Sequence, residues 1–471
     1  MTEAIARPQT PSPDWMRLRA NTLAIAGNRL YADWTASGRL YRPIERRLLD
    51  IAGPMMANTH TEDSLTGQFM TRALDEAHQI MRHHVNASSD DVVLFAGTGM
   101  TGALAKLVRM LGLWVHESHR ESVLATLTHR PRVYVTHMEH HSNHTLWLET
   151  LAEVVIIPPT PRGEVDLNWL AESLRQLPDG QPVMASVTAA SNVTGVSAPY
   201  RAIARLVHQA GGHCFVDFAC AAPYVDIDMH PVDDEPLDAV FFSPHKFLGG
   251  PGASGVLVFN ASLYQNRVPE QPGGGTVVWT NPWGEHRFIQ DIATRESGGT
   301  PGILQSLKAA MAAQLKDEIG VQAIRQRESV LNEYFLQGLD RIAGIQCLAR
   351  DQADRLSVFS VVIEGLHYQQ AVQRLSHEYG IEARGGCACA GTYGHYLLGI
   401  DRETSQAITG QLDRGELAAK PGWVRLSFHP MMTTEDLDRI LAALAALASG
   451  ATSSGSSEPV ETDLLWGNWI G

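Results

Sequence analysis

Through the middle of this chain, short apolar runs rich in β-formers alternate with segments long enough for helices, and that alternation limits the possible folds more than any other feature. The runs fall at 132–137 (RVYVTH), 153–157 (EVVII), 183–187 (VMASV), 214–217 (CFVD), 239–243 (AVFFS) and 255–259 (GVLVF). Helix-length stretches such as 199–210 separate them. Continuous apolar strands of this kind are buried on both faces, which a mostly parallel sheet sandwiched by helices provides. The expectation is a large α/β domain over residues 60–320.

Beyond it the pattern changes. A long helical stretch at 303–338 leads to a strand at 356–363, a helix at 368–379, strands at 380–383 and 423–428, and a helix at 434–447. These predict a smaller C-terminal α+β domain over 321–449, against which an N-terminal segment, 15–59, packs. Two domains also suit 471 residues with 44% hydrophobic content, which is more than a single core usually accommodates. Residues 1–14 carry three prolines and no periodicity, and read as a loose arm. The stretch 450–471 reads as a flexible polar tail, whose final LLWGNWIG is either a docking segment or simply an end.

The net charge of −14 is spread without long like-charge blocks, which argues against nucleic acid and anionic membranes as partners. No apolar run approaches the roughly 20 residues that span a bilayer, and the start lacks the pattern of a secretory leader, so a cytoplasmic protein is expected. Five cysteines in so long a chain make no disulfide framework.

The chemistry gathers at the ends of the predicted strands. Ser243, Pro244, His245 and Lys246 follow the strand AVFF and precede a glycine-rich segment, 247–255. A lysine at a strand's carboxyl end sits where α/β sheets place their ligand crevice, and burial there lowers its pKa as a Schiff-base lysine requires. Taken alone, such a lysine is more often a solvated surface group. Asp217, 29 positions earlier, closes the strand HCFVD. A carboxylate there can hold the pyridinium nitrogen of pyridoxal 5′-phosphate (PLP), although a single Asp after a strand also serves as a helix cap. Together on successive strands, the two are harder to explain as caps.

His140, in the MEHHSN that follows RVYVTH, offers a flat ring to stack on a cofactor or to handle protons. Metal ligation by His137, His140, His141 and His144 is the alternative, but no second ligand cluster at metal spacing accompanies them, and no metal is expected. Asn192, in TAASNVTG, follows another strand and can donate to a cofactor's phenolic oxygen. The segment 96–102 (AGTGMTG) joins the strand VVLF to a helix, a place where backbone N–H groups cradle phosphate.

The ordered set EHHSN, TAASNVTG, VDFA, SPHK with GGPGASG, ESGGTPG, RGGCACAG and WVRLSF, spanning roughly residues 30–447, resembles the fold-type I, class V PLP-dependent enzymes. It is most similar to the cysteine desulfurase and selenocysteine lyase group. That resemblance implies Lys246 as covalent anchor of the cofactor, Asp217 on the ring nitrogen, His140 against the ring and Asn192 at its oxygen. It further implies a phosphate site built from Thr98, Gly99, Ser243 and His245. Thr300 would reach the phosphate of a neighbouring subunit, so a homodimer with shared active sites follows. Arg425 would grip the α-carboxylate of an amino-acid substrate with Arg384 nearby, although an arginine in such a strand is otherwise read as a surface ion pair. Cys389 matches the reactive cysteine.

Several positions depart from the family pattern. Cys387 stands where a histidine is common, Cys220 where glutamine is common, and 58–61 (NTHT) replaces an arginine-containing loop. An insertion, 394–421, separates the cysteine pair from WVRLSF and brings Tyr396, a candidate for lining the pocket. The expected activity is removal of sulfur from L-cysteine or a related amino acid as a persulfide on Cys389, with release of alanine and handover to a sulfur-acceptor protein. The alternatives are a class V aminotransferase, a C–S β-lyase or an epimerase, and, from another class, a non-catalytic scaffold of the same fold.

Overall fold

The computed structural model describes residues 14–450 apart from 60, 62 and 232–234, so the arm 1–13 and the tail 451–471 lie outside the described residues. Seven strands form the main sheet: β1 (Asp91–Phe95), β2 (Arg132–Thr136), β3 (Glu153–Ile157), β4 (Val183–Thr188), β5 (His213–Asp217), β6 (Ala239–Phe242) and β7 (Val256–Asn260). Their spatial order is β1-β7-β6-β5-β4-β2-β3. The pairs from β6 to β3 are parallel, and β7 alone runs antiparallel to both of its neighbours.

Alternation along each strand divides the apolar residues between the two faces. On β5, Cys214 and Val216 enter one buried core while Phe215 enters the other, and on β7 Val256 and Val258 oppose Leu257 and Phe259 in the same way. Burial on both sides is why these strands read as unbroken apolar runs. Helices cover both faces; α1 (Leu65–His84) packs against the helix Ile303–Ile319, and α2 (Met100–Met110) and α3 (Tyr200–Gln209) pack on the strands.

The expected helix at 303–338 is two helices, α4 (Ile303–Ile319) and α5 (Val321–Leu339). The break is Gly320, whose φ of +86° suits glycine and ends an α-helix. A second sheet follows with β8 (Ile345–Cys347), β9 (Val358–Ile363), β10 (Arg384–Gly386) and β11 (Trp423–Ser427) in the order β8-β9-β11-β10. All its pairings are antiparallel.

The single strand expected at 380–383 is also different. Gly380 ends α6 (Tyr368–Tyr379) in the left-handed conformation, Ile381–Glu382 pairs in parallel with Leu30–Tyr31, and β10 begins only at Arg384. Part of the insertion at 394–421 belongs to α7 (Gly391–Leu398), which starts before it, and α8 (Arg402–Asp413) follows. The last described helix is α9 (Thr434–Ala448), whose N-terminus carries a Thr433–Asp436 capping box that also receives Arg19. The short hairpin of Val277–Thr280 with His286–Phe288 had no counterpart in the sequence pattern. No described helix is long and apolar enough to cross a membrane.

The N-terminal segment is stitched across both sheets. Beyond its pairing at Leu30–Tyr31, Ser427 N–H donates to the Ala32 carbonyl at 2.8 Å and Thr35 N–H to the Ser427 hydroxyl at 2.9 Å. Gly38 N–H then donates to the His245 carbonyl at 2.9 Å, and a Cβ on Gly38 would lie 1.9 Å from the Phe247 carbonyl oxygen. Only glycine fits between these two backbones. Gly38→Ala is therefore expected to cost about 1–3 kcal/mol, the usual penalty of overpacking. A denaturant midpoint unchanged from wild type would show that the backbone accommodates the methyl group freely.

Candidate active site

Loops from the carboxyl ends of the parallel strands converge on a cavity of about 220 Å³. Asp217, Ser243, His245 and Lys246 reach it from β5 and β6, His140 from the loop after β2, and Asn192 from the loop after β4. Arg384, Cys389 and Arg425 line it from β10, the loop after β10, and β11. His140, Asn192, Asp217 and Lys246 share one wall because parallel strands deliver their outgoing loops to the same sheet edge, and the second sheet closes the cavity from the other side with Arg384, Cys389 and Arg425.

Lys246 ends a short 3₁₀ turn directly after β6. Its ammonium is pushed down mainly by burial, an effect opposed by Cys220 and Asp217 and reinforced by Arg425 and Arg384. Asp217 ends the neighbouring parallel strand, and its carboxylate accepts from Ala219 N–H at 2.7 Å. Burial raises that carboxyl to about 6 against the usual 3.8, with the Ala219 hydrogen bond and Lys246 pulling it back. His140 takes Ser142 N–H on Nδ1 at 3.1 Å. Burial first, then Lys246, His141 and Arg425, lower its imidazole to about 4, so it is neutral around pH 7.

The glycine turn between β1 and α2 is held from below. Ser243 Oγ accepts Met100 N–H at 2.8 Å, and His245 Nδ1 lies 3.1 Å from the Thr98 carbonyl. A Cβ on Gly99 would meet His245 Cε1 and Ser243 Oγ, each at 3.0 Å, so the turn sits as close to both side chains as glycine allows. Thr98, Gly99 and Thr300 are not in the wall of the Lys246 cavity. Thr300 is exposed and lines a separate, larger cavity of about 1390 Å³ behind the glycine turn, with Thr101 shared between the two.

Asn192 lines the cavity, and its amide donates to the Ala388 carbonyl at 2.7 Å. His141 completes the hold on that loop, its N–H donating to the Cys389 carbonyl at 2.7 Å and its Nε2 accepting Gly391 N–H at 2.8 Å. Ala388 and Cys389 both have positive φ, 49° and 58°, which costs a non-glycine residue about 1–3 kcal/mol and persists where surroundings impose it. Cys389 is exposed and in the cavity wall; Cys387 is half-buried and outside it.

Tyr396 does not line this cavity. It packs edge-on against His137 and faces an open depression with Thr392, His395 and Asp401. The four histidines of the alternative metal reading are engaged separately, His137 by Tyr393 and Tyr396 and His144 by Thr392 at 3.1 Å. Among the described residues, no group of three or more His, Cys, Asp or Glu is arranged to hold a metal.

Sequence reasoning missed two carboxylates. Asp33 bridges both arginines, taking Arg425 Nη2 at 2.7 Å and Arg384 Nε at 3.1 Å. Nothing in LYADWTA announces partners 351 and 392 positions away. Glu139, inside MEHHSN, is buried and accepts from Thr136 Oγ1 at 2.6 Å, Asn143 Nδ2 at 2.7 Å and Thr188 N–H at 2.9 Å. Burial, against those hydrogen bonds, lifts it to about 7. It ties the His140 loop to the end of β4.

A half-buried amine whose ammonium is pushed down, a buried carboxylate on the adjoining strand end, a neutral imidazole and a glycine turn opening a helix suit a ring that carries an aldehyde, a pyridinium nitrogen and a phosphate. The donor set fits PLP.

Comparison with known proteins points the same way. A family model described as aminotransferase class-V matches residues 30–440. A probable cysteine desulfurase from Staphylococcus aureus (strain N315) is 26% identical over 425 residues, covering 89% of this chain and 92% of the relative. Another from Staphylococcus epidermidis (strain ATCC 12228 / FDA PCI 1200) is 25% identical, covering 88% and 91%. Among solved structures, the cysteine desulfurase of Thermococcus onnurineus NA1 superposes with a TM-score of 0.74 at 20% identity, covering 95% of this chain and 100% of the other. A cysteine desulfurase from Escherichia coli gives 0.73 at 21%, covering 93% and 99%. At such identities the structural likeness establishes the fold.

The Asp217 carboxyl makes the site testable without turnover. Because its folded value lies above its unfolded one, the protonated acid contributes stability that is complete below about pH 4 and lost as pH rises through about 6. Cofactor-free Asp217→Asn should match wild type near pH 4 and exceed it by about 3 kcal/mol near pH 8. Denaturant midpoints across that range read the effect, and a difference that ignores pH would contradict it.

Proposed function

The chain belongs to the aminotransferase class-V family, and from that membership we propose that it is a PLP-dependent enzyme that takes sulfur from L-cysteine and leaves alanine and a persulfide on Cys389. The observation that carries this reading is one cavity with Lys246 and Asp217 on adjacent strand ends and an exposed thiol, Cys389, in its wall.

When bound, PLP supplies the electron sink for the negative charge that develops at the substrate α-carbon. Asp217 would hold the ring nitrogen, and the neutral His140 would pack beside the ring. The glycine turn together with Ser243 and His245 would hold the phosphate. Arg425, aided by Arg384, fixes the substrate α-carboxylate, which orients the α-proton toward Lys246. Lys246 is suited to move that proton because burial holds its ammonium below the ordinary value.

In the transfer itself the substrate Cβ–S bond breaks and an S–S bond to Cys389 Sγ forms, so L-cysteine and one enzyme thiol become alanine and one enzyme persulfide. Asn192 and His141 keep the loop in place, so the thiol is presented without a large loop movement. An acceptor protein then meets the persulfide at an exposed position. The assembly proposed is a homodimer in which Thr300 serves the phosphate site of the neighbouring subunit.

The decisive experiment incubates PLP-loaded protein with L-cysteine and assays alanine, pyruvate, sulfide and protein persulfide together. Alanine and persulfide are expected in wild type, with both lost by about 100-fold or more in Lys246→Ala and Cys389→Ala. Pyruvate and sulfide formed in place of alanine, and formed equally well in Cys389→Ala, would instead indicate a β-lyase, whose chemistry needs the lysine and no thiol. Formation of no alanine from L-cysteine would end the desulfurase reading.

A further inference from the structure

Arg384 and Arg425 stand directly opposite each other across the β10–β11 pair, an arrangement that places two positive charges side by side in a sheet. Like charges at such positions repel. The repulsion is offset by Asp33, whose two carboxylate oxygens divide between them: Oδ1 on Arg425 and Oδ2 on Arg384. The pair is not equally accessible. Arg425 is 4% exposed at its side chain and Arg384 48%, while Asp33 is 13% exposed. Arg425 also donates Nη1 to the Asn192 carbonyl at 3.1 Å, and its Nε is buried without a hydrogen-bond partner.

Both arginines line the Lys246 cavity and Asp33 does not. Asp33 therefore acts through them. Its backbone is anchored by the pairing of Leu30–Tyr31 with Ile381–Glu382 and by a bridge to Ser427, so the carboxylate is held in position by two strands of the smaller lobe. Two guanidinium groups and one carboxylate leave a single net positive charge facing the cavity.

We propose that Asp33 is a specificity-determining residue that limits the substrate to one carboxylate, by neutralising one of the two arginines that face the cavity and leaving charge for a single anion. The inference rests on the reading of this cavity as an amino-acid site. An amino acid with an uncharged side chain matches the clamp, whereas one with a second carboxylate places its extra charge near Asp33 with no free cation to meet it.

The test uses full-length, PLP-loaded protein titrated with L-alanine and, separately, L-aspartate, with binding read from the change in visible absorbance. These ligands share the α-carboxylate and differ by one charge, and the readout does not depend on desulfuration. In Asp33→Asn the ratio of the two dissociation constants should shift by about tenfold toward L-aspartate, while Asp33→Glu should keep the wild-type ratio. A double variant, Asp33→Asn with Arg384→Gln, restores one net positive charge and should return the ratio to the wild-type value; it also serves if the single variant fails to fold. Equal weakening of both ligands in Asp33→Asn, or a double variant that still favours L-aspartate, would overturn the proposal. Absence of a visible band, or a band that neither amino acid perturbs, would instead sink the reading of the site on which it rests.

Discussion

The adjacency of Asp217 and Lys246 at the ends of two hydrogen-bonded parallel strands is the constraint around which the rest of the molecule is arranged. Water would stabilise both charges, but Asp217 is buried and Lys246 half-buried, and burial is the main cause of the shift of each. Each group is left with a shifted proton affinity and few partners of its own, which is an unfavourable arrangement for a bare protein and a favourable one for a protein that receives a cationic ring nitrogen and an aldehyde. Sheet geometry makes the arrangement possible: strands β5 and β6 are fixed in register by backbone hydrogen bonds and by apolar packing on both faces. The frustrated side chains therefore cannot relax by moving apart.

Around that pair, long-range polar contacts do the positioning. The N-terminal segment supplies Asp33 to the arginines, Thr35 to Ser427 and Gly38 to the Lys246 turn, so a stretch of about nine residues touches both sheets and the cavity. Glu139 couples the His140 loop to the end of β4. Asn192 and His141 fasten the cysteine loop in a backbone conformation that Ala388 and Cys389 do not favour on their own. These contacts share a physical logic: a rigid sheet edge gives coarse placement, and hydrogen bonds from neighbouring loops fix orientation.

What was legible beforehand follows from period and order. Apolar runs announced the strands β2 to β7, the motifs at their ends marked Lys246, Asp217 and His140, and the family resemblance added Arg425 and Cys389; the structure gathers all five in one cavity. Where local signals were ambiguous, tertiary context won. Gly320 sits in a helical pattern that continues on both sides, so only its backbone angle reveals the break between α4 and α5. Gly380 to Ala383 look like one strand because glycine as a helix terminator and isoleucine as a strand former adjoin there. Tyr396, attractive as an aromatic beside the cysteines, turns away because α7 directs it toward His137.

The sequence by itself determined the class of fold and the family, because burial pattern and motif order are properties of the chain read in one dimension. Only the tertiary structure decided which groups balance which charges: Asp33 against Arg384 and Arg425, Asn192 against Ala388, Thr300 away from the Lys246 cavity. Electrostatic and hydrogen-bond partners act over a few ångströms of space, and residues 392 positions apart in the chain carry no local mark of their meeting.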